Sequence, residues 1–394
     1  MRITFCKLHF VNYKLHKMKN INPTTPFPTS GYFGPLYFCD REKELETILG
    51  NIAGGQSTTL VAIRRIGKTG LIKHLQHKIS ESMICIYTDI LPTENSVDFL
   101  NSLATAILNS VPEKTSVGVK IWKFIKSLRP VITFDALTGD PNVSFNIQNI
   151  ESEHQIESLL SFLESQGKRV LFAIDEFQQI LNYPEKNVEA WLRKIIQQLK
   201  NVVFIFSGSQ QHLMYDIFSN PSKPFFRSAL FLKLDKIKFG SYQSFIIEKF
   251  SENNKKISKE TVAEILEWTN IHTYYVQLLC NRVYINSEKS ITSETWKNEA
   301  LKILNEQEYV FFSYRDMLTK QQWNLLKSIA HEGKVFAITS KDFVQKYKLG
   351  SPSTVNRSLI SLQKKELVYS EYNKNGKLYY SVYDVLFQRW IQNN

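Results

Sequence analysis

The stretch TLVAIRRIGKTGLIKHL, residues 59–75, decides the fold of this chain. Its start is apolar and predicts a buried strand, while the residues after Lys68 place apolar side chains at helical spacing. Between them, Gly67, Lys68 and Thr69 give the Gly-Lys-Thr sequence of a phosphate-binding loop. In such a loop the backbone N–H groups surround the phosphates at a helix N-terminus, the Lys reaches the outer phosphates and the hydroxyl binds Mg²⁺. The stretch therefore predicts a nucleotide site.

The loop departs from the usual pattern at its first position, where Ala62 stands in place of glycine. That position mainly shapes the turn, so a small residue suffices provided that its backbone keeps a negative φ. On the loop alone, a chance Gly-Lys-Thr on a turn remains the alternative. The candidate nucleotide contacts of the loop are Ala62, Ile63, Arg64, Arg65, Ile66, Gly67, Lys68, Thr69 and Gly70.

A second motif, VLFAIDEF at residues 170–177, ends a strand of five apolar residues with Asp175 and Glu176. Hydrolysis of a nucleotide needs one carboxylate near Mg²⁺ and one group that orients or deprotonates the attacking water. We assign Asp175, with Thr69, to the metal and Glu176 to the water. The alternative is an exposed acidic strand end without a function.

Short apolar runs alternate with amphipathic segments up to residue 237, which predicts an α/β fold with a parallel sheet of about five strands. Residues 129–148 read as a hairpin insertion. No strand pattern follows between residues 238 and 318, and we expect a helical lid subdomain there. Three short helices and a hairpin turning at Asn375-Gly376 then predict a winged helix over residues 319–394. The organisation is a disordered or extended tail (1–30), an ATPase domain (31–237), the lid and the winged helix.

The composition is that of a soluble globular protein, with 43% hydrophobic and 22% charged residues in 394. The four cysteines are scattered, and no apolar run is long enough to span a membrane, so we expect a cytoplasmic protein without a membrane partner. The net charge of +12 favours an anionic partner. Residues 320–394 contribute twelve Lys or Arg against five Asp or Glu, so the charge is concentrated at the end of the chain.

Two serines and an arginine are further candidates near the phosphates. The strand NVVFIFSGS ends in Ser207 and Ser209, at the edge of the sheet where ligands of such folds bind. A hydroxyl there could contact the γ-phosphate, or both serines could cap the following helix. Arg227, before the last strand, could add charge to a phosphate or be a solvated arginine.

Taken in order, these motifs resemble the AAA-type ATPases of the archaeal-ATPase group, which is related to the STAND proteins. The resemblance spans residues 37–283, and many members carry a winged helix after it. It rests on the segments YFCDREKELETIL, IRRIGKTGLI, LFAIDEF, FIFSGS, PFFRS and NIHTYYVQLL.

The resemblance implies that ATP lies between the sheet and the lid, with Phe38 and Arg41 near the adenine. It matches Lys68 and Thr69 to the Walker A motif, Asp175 and Glu176 to Walker B, Ser207 to the sensor strand, and Arg227 to an arginine that contacts phosphate. His272 matches the histidine of a GGHPYY segment, in which Asn270, Ile271 and Thr273 here replace two glycines and a proline. His272 is thus either a nucleotide contact or a histidine of the core or of a helix cap.

The third helix of a winged helix can enter a DNA major groove. In SPSTVNRSLISLQKKEL, residues 351–367, we expect Ser353 to cap the helix, and Val355, Leu359 and Leu362 to face inward. Thr354, Asn356, Arg357 and Ser358 would lie at the exposed N-terminal end, where Asn and Arg can read base edges, and lysines such as Lys364 and Lys365 could meet phosphates. The alternative is an arm that packs on the ATPase domain or binds a protein partner or a second copy.

Two functional hypotheses follow. The first is an ATPase switch that binds ATP and Mg²⁺, hydrolyses ATP slowly without a partner, and couples its ATP or ADP state to the winged-helix arm. The second is a nucleotide-responsive DNA-binding regulator with little or no hydrolysis. The Asp175 and Glu176 pair favours the first, whereas Ala62, the altered lid segment and the basic end favour the second.

Overall fold

The computed structural model describes residues 23–393, in which short strands alternate with helices up to residue 237. These elements are α1 (Glu42–Ala53), β1 (Thr58–Val61), α2 (Lys68–Ile79), β2 (Ile84–Asp89), α3 (Ser96–Ser110), α4 (Ser116–Ser127), β3 (Val131–Phe134), β4 (Pro141–Ser144), α5 (Asn149–Glu164), β5 (Val170–Asp175), α6 (Val188–Ile196), β6 (Val202–Gly208), α7 (Gln211–Ser219) and β7 (Leu230–Lys233). Helices α4, α5 and α7 come in addition to those predicted. Two 3-10 helices, Pro35–Tyr37 and Phe177–Asn182, precede α1 and follow β5.

The central sheet has five parallel strands in the order β2-β5-β6-β1-β7. Every residue of β1, β5 and β6 is buried, which explains the long apolar runs at the start of β5 and β6. The predicted α/β class and the number of strands are confirmed. Because the strands are parallel, their carboxyl ends lie at one edge of the sheet.

Helices cover both faces of this sheet. Side chains alternate along β5, so Leu171 and Ala173 pack in the hydrophobic cluster that includes α1 and α2. Phe172 and Ile174 pack in the opposite cluster, with α3, α5 and α6.

The predicted hairpin insertion is confirmed as the antiparallel pair β3 and β4. The hairpin rests against α3, and side chains of α3 accept hydrogen bonds from the backbone of the hairpin segment. Thr105 Oγ1 accepts from Val143 N (2.9 Å), and Asn101 Oδ1 accepts from Phe145 N (2.8 Å). The hairpin therefore extends the helical layer on one face and does not join the central sheet.

The segment after residue 237 is helical, as expected, with one correction. Its elements are α8 (Phe239–Ser251), β8 (Lys256–Ile257), α9 (Lys259–Trp268), α10 (Thr273–Asn286), β9 (Ser290–Ile291) and α11 (Ser293–Asp316). The prediction that this segment has no strands is wrong, because β8 and β9 pair in parallel. Two residues per strand are too few to leave a recognisable sequence pattern.

A winged helix ends the described chain. It comprises α12 (Lys320–Glu332), α13 (Lys341–Lys346), α14 (Pro352–Lys364), β10 (Val368–Tyr372), β11 (Leu378–Val382) and α15 (Val385–Asn393). A capping box at Thr319 begins α12, and β10 and β11 form the predicted antiparallel wing. Helix α15 was not predicted. None of the helices between residues 23 and 393 is both long and apolar enough to cross a membrane.

Helix α14 corrects two details of the prediction. Its N-cap is Ser351, which accepts a hydrogen bond from Thr354 N, and not Ser353. Pro352 occupies the first turn, where its fixed φ suits a helix, so the helix begins earlier than expected. Ser358 is buried at 7% exposure and not exposed.

The inward face of α14 agrees with the prediction. Val355, Leu359 and Leu362 are all buried in the hydrophobic core of this part of the chain. The helical spacing of apolar residues was therefore sufficient to orient the helix.

The lid and the winged helix share one hydrophobic cluster, which includes Val276 of α10 and Phe387 of α15. The carboxylate of Asp384 joins the two parts, because it accepts hydrogen bonds from Tyr275 Oη (3.0 Å) and Tyr314 Oη (3.1 Å). The lid and the winged helix are thus packed as one body.

Part of the predicted tail lies outside the described residues, namely residues 1–22. Of its remainder, Phe27 is fully buried against Phe250 of the lid. Asn281 Nδ2 donates to Thr25 Oγ1 (2.7 Å) and to Phe27 O (3.0 Å). Residues 25–27 are therefore anchored on the lid.

Candidate functional site

The predicted phosphate-binding loop connects β1 to α2. Gly67 takes a left-handed φ of 106° immediately before α2 begins at Lys68, a conformation that favours glycine. Arg65 also has a positive φ, of 59°, whereas Ala62 is fully buried and does not. Ala62 thus keeps the negative φ that a residue other than glycine needs at this position. The loop leads directly into the N-terminus of α2, where backbone N–H groups have no partner within the helix.

Thr69 and Asp175 are in direct contact at the carboxyl edge of the sheet. Thr69 Oγ1 donates a hydrogen bond to Asp175 Oδ2 at 2.8 Å, and Tyr87 Oη donates to the same oxygen at 3.0 Å. Asp175 is 4% exposed. A buried carboxylate beside a hydroxyl is therefore fixed at the start of α2.

Lys68 is the buried cation of the loop, with 7% of its surface exposed. Burial lowers the pKa of its ammonium group, and the nearby Glu176 and Asp175 carboxylates act in the opposite direction. Among residues 23–393, Lys68 makes no salt bridge. A negatively charged ligand at the loop would compensate for this desolvation.

Glu176 faces different partners from its neighbour Asp175. Its Oε2 accepts hydrogen bonds from Gln178 Nε2 (2.6 Å) and Ser209 Oγ (2.7 Å), and it lies 3.3 Å from Ser209 N. Its backbone takes a left-handed φ of 55°, which turns the chain sharply after β5. The two adjacent acids therefore point to two separate positions.

Ser207, near the end of β6, and Ser209, directly after it, do not cap the next helix. The N-cap of α7 is Gln210, without a side-chain hydrogen bond, so the capping alternative for Ser207 and Ser209 is wrong. Ser209 binds Glu176 instead, and Ser207 Oγ is buried without a hydrogen-bond partner. The pattern of apolar residues could not distinguish these environments.

Two residues of β2 belong to the site and were missed in the sequence. Tyr87 binds Asp175, and Asp89 lies directly beside Asp175 in the strand register. Burial raises the pKa of Asp89, and the charges of Asp175 and Glu176 raise it further. The one available signal was an aspartate at the carboxyl end of a predicted strand, the same feature that identified Asp175.

A cavity of about 120 Å³ adjoins the loop at Ile66, Gly67 and Gly70. Phe38 and Arg41, which the resemblance places near the adenine, both line it. The remaining lining residues come from the N-terminal segment, from residue 237 and from the lid: Pro28, Gly31, Tyr32, Phe33, Tyr37, Cys39, Ile237, Thr273 and Gln277. The cavity thus lies between the loop and the lid.

Phe38 and Arg41 are held firmly at this cavity. The Phe38 ring stacks on His74 with centroids 4.1 Å apart. Arg41 Nη1 pairs with Glu44 Oε1 at 3.0 Å, whereas the buried Arg41 Nη2 has no hydrogen-bond partner.

The lid contacts the loop through the start of α10. Thr273 Oγ1 donates to Ile66 O at 3.0 Å, and the Arg65 guanidinium lies 4.3 Å from the centre of the Tyr274 ring. His272 is buried against Tyr275, its Nδ1 has no partner, and it is not among the residues that line the 120 Å³ cavity. Burial, with Lys236 nearby, lowers the pKa of His272 to about 3.

The winged helix also contacts the loop. Arg64 forms an ion pair with Glu366, which lies between α14 and β10. Next to it, Lys233 Nζ at the end of β7 pairs with Glu371 Oε1 of β10 at 2.6 Å. Neither ion pair was predicted from the sequence.

Arg227 is not brought to the loop. Its side chain is exposed and lies over the Phe226 ring at 5.2 Å. A contact between Arg227 and phosphate at this site would therefore require a second copy of the chain or a rearrangement.

Two family models match the chain. One, described as an ATPase domain predominantly from Archaea, matches residues 38–279, and the other, described as a probable winged helix domain, matches residues 298–393. A search of curated proteins gives no match.

Solved structures share the fold at low identity. The Walker-type ATPase paby2304 of Pyrococcus abyssi is 16% identical, with a TM-score of 0.64 over 93% of this chain and 100% of that one. The ORC2 protein of Aeropyrum pernix, solved as ADPNP-ADP complexes, is 14% identical, with a TM-score of 0.57 over 93% and 97%. The ORC1 protein of the same organism, in complex with DNA, is 13% identical, with a TM-score of 0.50 over 94% and 97%.

The buried His272 predicts a specific pH dependence of stability. Below its ordinary pKa of about 6.5, the unfolded chain gains a proton that the folded chain cannot accept until the pH approaches its lowered pKa of about 3. Stability is therefore lost as the pH falls through this window, by about 2 kcal/mol at pH 5 relative to pH 7.5. We expect His272→Gln to lose less stability than wild type between these pH values in urea unfolding, whereas the exposed His212→Gln behaves as wild type. Equal losses for wild type and His272→Gln would contradict the assignment.

Proposed function

This chain belongs to the family of ATPase domains found predominantly in Archaea, and we propose that it is a switch in which ATP binding and hydrolysis set the position of the winged helix. The observation that carries the proposal is the position of the loop between β1 and α2. Arg64 of the loop pairs with Glu366 of the winged helix, and Ile66 accepts a hydrogen bond from Thr273 of the lid. A change in the loop on nucleotide binding would therefore act on both parts directly.

The residues at the loop fit a magnesium nucleotide. Lys68 is a buried cation, and Thr69 with Asp175 offers the hydroxyl and the single carboxylate that Mg²⁺ uses together with water and substrate phosphates. When bound, Mg²⁺ would neutralise charge on the phosphates. Tyr87 would hold Asp175 in place through its hydrogen bond, as supporting groups around metal ligands do. Ser207 would contact the γ-phosphate with its otherwise unpartnered hydroxyl.

Glu176 would orient the attacking water and accept its proton. In the described conformation its Oε2 is bound by Ser209 and Gln178, which restrains the carboxylate. Full activity would therefore require a shift of these partners, and we expect slow turnover in the absence of a partner protein or second copy. Ser209 directly precedes residues 210–213, which face the winged helix across a cleft of about 580 Å³.

The link to the winged helix would depend on competition for Arg64. In the structure, the Arg64 guanidinium pairs with Glu366. Triphosphate at the loop would attract the same guanidinium and weaken this pair. Because Arg64 is 47% exposed, its ion pair is weak, and a modest competing interaction is enough to shift it.

A second candidate function is DNA binding by α14. Asn356 and Arg357 are exposed in the first half of this helix, where base edges could be read. Lys364 and Lys365 are both exposed at the end of the helix, where they could meet phosphates, and Lys364 also borders the cleft toward residues 210–213.

The ATPase proposal predicts two different losses. Lys68→Ala should lose both nucleotide binding and turnover, whereas Glu176→Gln should keep binding and lose turnover by about 100-fold or more, since it removes only the general base. Phosphate release and equilibrium binding of ATP with Mg²⁺ measure these effects. Lys78→Ala, an exposed residue of the same helix, is the control and should equal wild type. Wild type that binds no ATP would refute the proposal.

The coupling proposal predicts that Glu366→Gln tightens ATP binding. Arg64 is then free for the phosphates, and the gain should reach up to about fivefold, the range of an exposed ion pair. In the Arg64→Gln background the same change should have no effect. Glu332→Gln, which removes an acid paired with Lys346 in the same domain, should not change ATP affinity. If Glu366→Gln binds ATP as wild type does, the loop and the winged helix are not coupled through this pair.

DNA binding predicts a salt-dependent affinity for duplex. The double variant Lys364→Glu, Lys365→Glu should bind about tenfold or more weakly than wild type, because two phosphate contacts become repulsive. The control is the double variant Lys120→Glu, Lys123→Glu, which changes two exposed lysines of α4 and so alters the net charge equally, but away from the winged helix. This control should weaken duplex binding less. No binding by wild type at low salt would rule out this second function.

A further inference from the structure

Two buried polar atoms without hydrogen-bond partners belong to residues that line the same 120 Å³ cavity. One is Oε1 of Gln277, a residue of α10 that is 9% exposed. The other is Nη2 of Arg41, which is 5% exposed. Buried polar groups in proteins are nearly always paired, and leaving them unpaired destabilises the fold. Because both residues line the same cavity, a ligand bound there is the candidate partner for both atoms.

The polarity of the two atoms follows from their neighbours. Tyr242 is fully buried, and burial keeps the pKa of its phenol well above the ordinary value, so the phenol retains its proton. It donates this proton to Thr273 O at 3.4 Å, and its oxygen therefore accepts from Gln277 Nε2 at 3.3 Å. The Gln277 amide nitrogen is thus committed to Tyr242, and Oε1 is left as an acceptor. Arg41 Nη2 can only donate.

The orientation of α10 explains how Gln277 reaches this place. Thr273 and Gln277 are one helical turn apart and lie on the same face of α10. Thr273 binds Ile66 O of the loop, which fixes this face against the nucleotide site. Gln277 consequently lies one turn further along the cavity, away from the position of the phosphates.

We propose that Gln277 and Arg41 recognise the base of an adenine nucleotide: Gln277 Oε1 accepts a hydrogen bond from the exocyclic amino group, and Arg41 Nη2 donates to a ring nitrogen. The proposal rests on the proposed function, which places the phosphates at the loop. Guanine carries a carbonyl oxygen in place of the amino group and an N–H in place of the neighbouring ring nitrogen. Against Gln277 and Arg41, guanine would therefore present acceptor to acceptor and donor to donor, and the site selects ATP over GTP.

The amino group itself can be tested with purine riboside 5′-triphosphate, which lacks it but is otherwise ATP. Equilibrium binding to the full chain is measured for ATP, this analogue and GTP. Wild type should bind the analogue about tenfold or more weakly than ATP, because Gln277 Oε1 then remains unpaired. Gln277→Leu should bind ATP and the analogue equally, since neither finds an acceptor. Gln277→Glu, which retains an acceptor, should keep the preference for ATP.

Two controls separate the possible failures. Binding of inorganic triphosphate, which has no base, should be the same in all variants and identifies any that is misfolded. If Gln277→Leu fails this control, Gln277→Met, which also lacks the acceptor, takes its place and should likewise bind ATP and the analogue equally. Ile285→Gln, an exposed position on the same helix, should keep the wild-type preference.

The outcomes for this inference and for the proposed function are distinct. Equal affinity of wild type for ATP and the analogue, or a preference for ATP that persists in a folded Gln277→Leu, would overturn the assignment of Gln277 while leaving the ATPase intact. Wild type that binds neither the nucleotides nor inorganic triphosphate would overturn the proposed function itself.

Discussion

The hydrogen bond from Thr69 to Asp175 is the contact on which the arrangement of the site depends. It joins the start of α2 to the end of β5, although β6 lies between β1 and β5 in the sheet. The contact is possible because all three strands are parallel and end at the same edge. At the end of β6, a Cβ on Gly208 would lie 2.4 Å from Oε1 of Gln178, whose amide nitrogen binds Glu176. The sheet thus brings the hydroxyl, the carboxylates and the buried Lys68 together.

The contacts around this centre differ in strength. The lid and the winged helix share a hydrophobic cluster and the hydrogen bonds that Asp384 accepts from Tyr275 and Tyr314, so separating them would expose apolar surface. The winged helix is joined to the loop and to β7 by partly exposed ion pairs, Arg64 with Glu366 and Lys233 with Glu371, and its Tyr369 and Tyr383 pack against the cluster that includes β1 and α2. Exposed ion pairs contribute about 0–1 kcal/mol each. Movement of the combined lid and winged helix relative to the sheet would break these ion pairs and the packing of the two tyrosines, and would leave the larger shared cluster intact.

The sequence could show several residues that belong to the site, but not which hydrogen-bond partners their side chains have. Lys68, Thr69, Asp175 and Glu176 were identified because each stands next to a strand or helix boundary that the apolar pattern marks. Ser209 was assigned to a helix cap or to phosphate, yet it binds Glu176, because the sharp turn at Glu176 directs its carboxylate across the sheet edge. In the lid, the sequence pointed to a residue that does not line the cavity. His272 was singled out by its residue type, whereas Thr273 and Gln277 of α10 are the lid residues that line the cavity.

The sequence by itself determined the α/β class, the five strands, the loop at residues 62–69 and the inward face of α14, since these depend on local periodicity and on glycine geometry. Only the tertiary structure decided the order of the strands, the place of Tyr87 and Asp89 beside Asp175, and the contact of the winged helix with the loop. These features depend on side chains that are distant in sequence and are brought together by strand pairing and core packing. Local sequence patterns do not indicate which distant residue a polar side chain will bind.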